Sequence, residues 1–363
     1  MRSSVNAYLP DEVSLPGETL QEVLDDRQMS QANLAERTGR PKKTINEIIK
    51  GKAAITPETA LQLERVLGVS ASFWNNLERN YQEYLARKGE EDLFEASAQW
   101  LKELPVKELE KRGWIEKQPR TADQVRAVLQ YFGVASPNQW RQVFELPQVS
   151  FRHSPSFKSS PGALAAWLRR GEIEAQLMKC DLFDASRFRA SLLAAKALTT
   201  QDPEVFVPQL QAICAAAGVA VVFVPELPNC RVCGATRWLS PHKALIQLSL
   251  RYRTNDHLWF TFFHEAGHVL LHGKKLTFIE GGSEAPSDEE EEANRFSADQ
   301  LIPPHRLAEL KEATQARRLS EAMVLRFAES LGIAPGIVVG RLQHDGWLPQ
   351  FHLNGLKISY TWG

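Results

Sequence analysis

One apolar segment, Asp256 to His272 (DHLWFTFFHEAGHVLLH), constrains this chain more than any other. Leu258, Trp259, Phe260, Phe262, Phe263, Val269, Leu270 and Leu271 make it apolar nearly all round, so as a helix it has to be buried. His264, Glu265 and His268 lie inside it, and burying such groups with nothing bound to them is costly. Residues four apart share a helix face, with Cβ atoms roughly 5–6 Å apart, so both imidazoles of this H-E-x-x-H sequence can reach one metal ion. Glu265 then projects beside that ion, where its carboxylate can take a proton from a bound water. Asp256 reads as the cap of the helix and Gly273 as its stop.

With 363 residues the chain is long enough for about two to three domains. A formal charge of −1 excludes a chain coated in nucleic acid along its length, though not a local basic patch. The N-terminus shows no apolar leader, and the longest apolar runs, such as Gly218 to Val224, are far too short to span a bilayer. A cytoplasmic chain with no membrane partner is expected. Cys180, Cys214, Cys230 and Cys233 do not form a disulfide framework. Cys230-Arg-Val-Cys233 lacks the two further ligands zinc would need, and reads as ordinary thiols near a hairpin.

Near the N-terminus an amphipathic helix begins at Leu20. A second follows, with Ser30 as its N-cap, Leu34 and Ala35 facing a core, and Gly39 as its end. Pro41 opens a third, Lys42 to Lys50, which makes a helix-turn-helix pattern. Between Ser30 and Lys52 six basic residues face two acidic ones, a local charge of +4. Lys42, Lys43, Thr44 and Asn46 are candidates for base edges, Lys50 and Lys52 for phosphates, and Gln31 for anchoring the DNA backbone. A bundle whose lysines merely solvate it is the alternative.

Residues from about 85 to 216 read mainly as helices, interrupted by a Ser/Pro/Gly-rich loop or hinge at Ser154 to Gly162. Three short strands are expected at Val219–Val224, around Val232–Trp238 and at Ala244–Ser249, with an exposed edge able to hold an extended peptide. His272 continues the i, i+4 series but lies roughly 12 Å along a straight helix from His264, so one ion cannot bind both. It is read as a helix-end residue complementing the dipole.

A third metal ligand should therefore come from downstream, where Ala293, Phe296, Ser297, Gln300 and Leu301 form the inward stripe of a further helix. Stepping back one turn lands on Glu290 or Glu289, and Glu292 also stays open on spacing alone. Asn294 lies one turn after Glu290, placed to hydrogen-bond a ligand. Ser287 with Glu290 also spells a capping box. Tyr252, His257 and His305 are the candidates for stabilising an oxyanion.

Two resemblances add to this. Ser30-Gln31, Leu34-Ala35, Lys43 to Gly51 and Ile55 to Leu63, continuing to about Tyr84, resemble the HigA-type antitoxins of the phage-repressor-like (XRE) helix-turn-helix family. That likeness implies a homodimer on palindromic, double-stranded operator DNA. Gly234 to Trp238, Ile246 to Arg251, His264 to His272 and Glu290 to Ala298, through Pro303, are similar to the ImmA/IrrE metallopeptidases over roughly residues 160–345. This second likeness implies a gluzincin-type zinc site completed by Glu290, with Asn294 one turn on. Ser297 stands where alanine is usual in that family.

The expected fold is α+β and predominantly helical. A helix-turn-helix domain (1–90) is followed by a helical linker region (91–160) and by a zinc peptidase domain (161–363) with a small sheet packed on the H-E-x-x-H helix. The expected function is a DNA-binding regulator fused to a zinc endopeptidase acting on a repressor or toxin, with Glu265 as its base. The alternative is an antitoxin-type regulator whose metal site is sensory or otherwise non-proteolytic.

Overall fold

The computed structural model describes residues 13–145, 160–273, 278–280, 288–315 and 319–362. Most of the expected loop at Ser154–Gly162, and Ser287 of the capping box, lie outside the described residues. The chain divides into two compact units, Met1–Ser97 and Ala98–Gly363.

The first unit is a bundle of α1 (Pro16–Asp26), α2 (Gln31–Thr38), α3 (Lys42–Ile49), α4 (Pro57–Leu67) and the long α5 (Ala71–Ala96). Leu20, Leu24, Leu34, Ile45, Ile48, Leu63, Leu67 and Trp74 recur at helical spacing and form one buried core. Ser30 caps α2 by accepting from the Asn33 amide at 3.1 Å, and Gly39 ends it at φ +68°, a left-handed conformation that other residues adopt at a cost. Pro41 occupies the N-cap of α3 and not its first turn, so the third helix starts at Lys42.

The second unit begins with α6 (Val106–Lys111), α7 (Thr121–Phe132) and α8 (Pro137–Trp140). Of the helical linker region expected over 91–160, residues 98–145 belong to this unit. Trp100, Phe132, Trp140 and Phe144 form an edge-to-face cluster with centroids 5.1–5.8 Å apart. Arg112 donates to the carbonyls of Pro225 and Glu226, more than a hundred residues ahead. Tyr131 donates to the Ala166 carbonyl, on α9 (Pro161–Leu177). Helices α10 (Ala185–Ala197) and α11 (Pro203–Ala215) lead into the sheet.

Among the described residues four strands, one more than expected, make that sheet: β1 (Val219–Phe223), β2 (Gly234–Ser240), β3 (Lys243–Leu248) and β4 (Phe278–Glu280), in the order β1-β3-β2-β4. β1 runs parallel to β3, and β2 is antiparallel to both β3 and β4. β2 is therefore not an edge, because Gly234 pairs with Leu248 on one side and Glu280 on the other. β1 lies at one end of the sheet, yet Val219 to Val222 are buried on both of its faces, which is why it reads as a continuous apolar run. On one face Gln247 and Trp167 tie β3 to α9, through a 2.7 Å bond from the Gln247 amide to the Trp167 carbonyl.

On the other face lies α12 (Asn255–Leu271), the helix predicted to be buried. It packs with Val219, Val221, Ala244, Ile246 and Leu248. α13 (Asp288–Leu301), α14 (Pro304–Gln315), α15 (Glu321–Leu331) and α16 (Pro335–His344) complete the unit. Ala293, Ser297 and Leu301 of α13 are buried, and Ser297 donates to the Phe260 carbonyl of α12 at 2.8 Å.

The start of α12 corrects the sequence reading. Thr254 is its N-cap, and Asp256 lies inside the first turn as a buried partner of Lys357, 2.6 Å away. The segment carrying Lys357 crosses the helix end as a strap. Ile358 accepts from the Asn255 amide at 2.9 Å, Thr254 bridges Ser359, and the Tyr360 amide donates to the Arg253 carbonyl. Among the described residues no single helix is long and apolar enough to cross a membrane.

Candidate metal centre

The row His264, His268 sits on one face of α12 and meets Glu290 in the first turn of α13. His264 Nε2 and His268 Nε2 are 3.0 Å apart, and the Glu290 carboxylate oxygens lie 3.2 Å from the first and 3.5 Å from the second. Four ligands at zinc distances of about 2.0–2.1 Å form a tetrahedron with edges of about 3.4 Å, so the three donors are spaced as one ion requires. Two imidazoles and one carboxylate, with a fourth position left over, is also the donor chemistry of catalytic zinc sites. The donor set fits the metal.

Burial raises the Glu290 carboxyl, but the adjoining His264 and His268 imidazoles outweigh it and hold the group down at about 2. Burial pushes His268 in the opposite sense, lowering its pKa against the pull of Glu290. Both shifts favour the protonation states a metal needs: ionised carboxylate and neutral imidazole.

Spacing left Glu289, Glu290 and Glu292 open as the third donor. Only Glu290 is brought to the two histidines; Glu289 and Glu292 are exposed. The Glu292 carboxylate instead lies 3.2 Å from His272 Nε2. Asn294 Oδ1 lies 3.0 Å from His264 Nδ1, so that nitrogen carries the proton and Nε2 keeps its lone pair toward the centre.

Glu265 is fully buried beside β2. Its backbone carbonyl accepts from Thr236 Oγ1 at 3.0 Å, fixing the helix against the sheet. Its side chain lies under Gly234, where any Cβ would fall 2.7 Å from Glu265 Oε1. In the sequence Gly234 stands out only as part of a family pattern; the close approach depends on a strand pairing that local spacing does not reveal. His272 was missed as a partner of His268, although its i+4 position was the available signal. Of the oxyanion candidates, Tyr252 and His257 stack on each other, 4.5 Å between rings, and line an opening with Thr261, one turn before Glu265. His305 is exposed at the start of α14.

In the helix-turn-helix bundle, Lys42 and Lys43 open α3 and are exposed, as are Lys50 and Lys52 just beyond it. Thr44 and Asn46 are half-buried. Gln31 donates to Gln21 at 2.9 Å and accepts from the Asn46 amide at 3.3 Å, so two of the candidate contact residues are held together by one polar chain.

The bundle and the centre together define a chain that joins a transcription-regulator domain to a peptidase-like domain. The chain belongs to the helix-turn-helix (XRE-type) regulators, whose family model matches residues 20–74, and it carries an IrrE N-terminal-like peptidase domain over residues 239–343. An uncharacterised HTH-type transcriptional regulator of Escherichia coli, YddM, is 38% identical over 63 residues, which are 17% of this chain and 67% of that protein. Solved structures similar to it include a putative antidote protein of a plasmid maintenance system from Nostoc punctiforme. That protein is 32% identical, with 23% of this chain and 93% of that one covered and a TM-score of 0.23. The Pseudomonas aeruginosa antitoxin HigA, solved with the higBA promoter, is 32% identical over 22% of this chain and 86% of its own, with a TM-score of 0.21.

Proposed function

We propose that the chain is a DNA-binding regulator whose second unit is a zinc endopeptidase acting on a partner protein, a repressor or a toxin. The observation that carries this reading is the convergence of His264, His268 and Glu290 within 4.8 Å, with Glu265 buried on the same helix. These three residues would hold the ion, which when bound supplies Lewis acidity and a water of lowered pKa. The chain's own residues supply the rest. Asn294 holds His264 in the tautomer that faces the ion. Glu265 takes a proton at its carboxylate from the attacking water and gives it to the leaving amine as the peptide bond breaks. An intact carboxylate at Glu265 supports hydrolysis over a purely structural or sensory role, which needs no base.

The test compares wild type with Glu265→Gln in the native host, mapping new protein N-termini. Both chains are expected to hold about one zinc ion per chain, and only wild type to generate a defined set of cleavage products. Identical N-termini from the two strains, with zinc bound in both, would sink the peptidase reading in favour of the sensory one. Replacing His264 and Glu290 together by alanine is expected to abolish zinc binding, measured by elemental analysis after chelator-free purification.

The first unit is proposed to bind double-stranded operator DNA as a homodimer, with Gln31, Lys42, Lys43, Thr44 and Asn46 toward the groove and Lys50 and Lys52 on phosphates. Lys50→Ala with Lys52→Ala is expected to weaken binding to the chain's own promoter fragment. The slope of log K against log salt should become shallower by about 1.8, about 0.9 for each phosphate that is no longer neutralised. An unchanged slope in fluorescence-anisotropy titrations would remove these lysines from the interface.

A further inference from the structure

His272 has the C-cap position of α12, with extended backbone (φ −109°, ψ 163°), so the chain leaves the helical path there and the ring folds back toward the preceding turn. Its Nδ1 lies 2.8 Å from His268 Nδ1, the ring nitrogen that does not face the centre. Its Nε2 lies 3.2 Å from the carboxylate of Glu292, two residues beyond Glu290 on α13. The His272 side chain is only 5% exposed, whereas Glu292 is 57% exposed.

The protons in this row can be assigned. A carboxylate only accepts, so in the singly protonated form of the ring the His272 proton sits on Nε2 and is given to Glu292. Its Nδ1 is then a lone pair and must accept, which places the His268 proton on Nδ1. What remains on His268 Nε2 is a lone pair aimed at His264 and Glu290. Asn294 does the same for His264 from the same helix as Glu292.

We propose that His272 and Glu292 are positioning residues that hold His268 in the tautomer able to ligate the metal. This rests on the metal reading above. Without His272 as acceptor, the His268 ring can carry its proton on Nε2, and that proton has to leave before an ion binds. Removing such an outer partner typically lowers metal affinity about 10–100-fold.

The test measures the zinc Kd of the full chain by competition with a chromogenic chelator. His272→Ala is expected to bind zinc about 10–100-fold more weakly than wild type. His272→Asn places an amide oxygen where Nδ1 was and should recover most of that loss, which a purely packing role would not explain. Glu292→Ala changes only an exposed residue and keeps the protein folded, and it should lose part of the same factor. The visible spectrum of the cobalt-loaded chain should keep its ligand-field bands in all three, because the donors themselves are unchanged. If His272→Ala and Glu292→Ala both bind zinc as tightly as wild type, the proposal is overturned and the metal centre stands. If wild type itself binds no more zinc than His264→Ala, the metal centre fails, and this proposal with it.

Discussion

Gly234→Ala is expected to cut proteolysis by at least roughly 100-fold while leaving the zinc content of the chain unchanged. A Cβ at this position would lie 2.6 Å from Thr261 Cγ2, 2.7 Å from Glu265 Oε1 and 2.9 Å from Glu265 Cγ. Such distances are not tolerated, so something has to move. The strand cannot retreat easily, because Gly234 is paired with β3 on one side and β4 on the other. The Thr261 and Glu265 side chains are what yield, and the proposed base displaced by about 1 Å would lose about this much rate. None of the three proposed donors is among the atoms nearest that Cβ, so metal binding has no reason to change. The measurement pairs zinc analysis with the rate of product formation in the same preparation. Wild-type hydrolysis by Gly234→Ala would show that Glu265 does not act from its place under β2.

The second large effect is on stability. Lys357→Met keeps the aliphatic stem and removes the charge, leaving Asp256 buried without its cation. Breaking a buried pair from one side costs about 3–5 kcal/mol, since the remaining charge is left uncompensated. Asp256 is 7% exposed, and the Cβ that Gly340 lacks would fall 2.5 Å from its carboxylate, so there is little room for water to take the place of Lys357. Urea unfolding of the full chain is expected to show a loss of this size in the transition of the second unit. Adding Asp256→Asn to Lys357→Met should return part of it, because the charge is gone from both ends. Equal stability of wild type and Lys357→Met would mean that the pair contributes nothing net.

What could be read in the sequence follows how local each signal was. The all-round apolar character of residues 256–271 marks a buried helix, and the i, i+4 spacing puts His264 and His268 on one face of it. The second and third helices of the bundle are similarly legible, since the Ser30 cap, the Gly39 end and Pro41 are short-range signals. Spacing could not choose among Glu289, Glu290 and Glu292, because a run of acids in a first helical turn offers a carboxylate in every direction. The choice depends on the rotation of α13 against α12, which buried Ala293 and Ser297 set by close packing.

Distance to a single ion excludes His272 as a ligand, but it says nothing of a contact with the far side of His268. Residues 91–160 read as a helical linker region because their helical spacing shows no distant partner. Arg112 and Tyr131 find their partners far along the chain, at Pro225, Glu226 and Ala166. β4 is three residues long, too short to show a period, and Lys357 meets Asp256 across about a hundred positions.

That last pairing has a bearing on damage to the gene or the protein. A premature stop between His344 and Lys357 leaves every proposed metal donor, the proposed base and the helix-turn-helix in the chain. It also removes the strap that holds the first turn of the helix carrying the donors. Loss of function from a late truncation would then be a failure of anchoring at a distance, in a chain whose chemical groups are all still present.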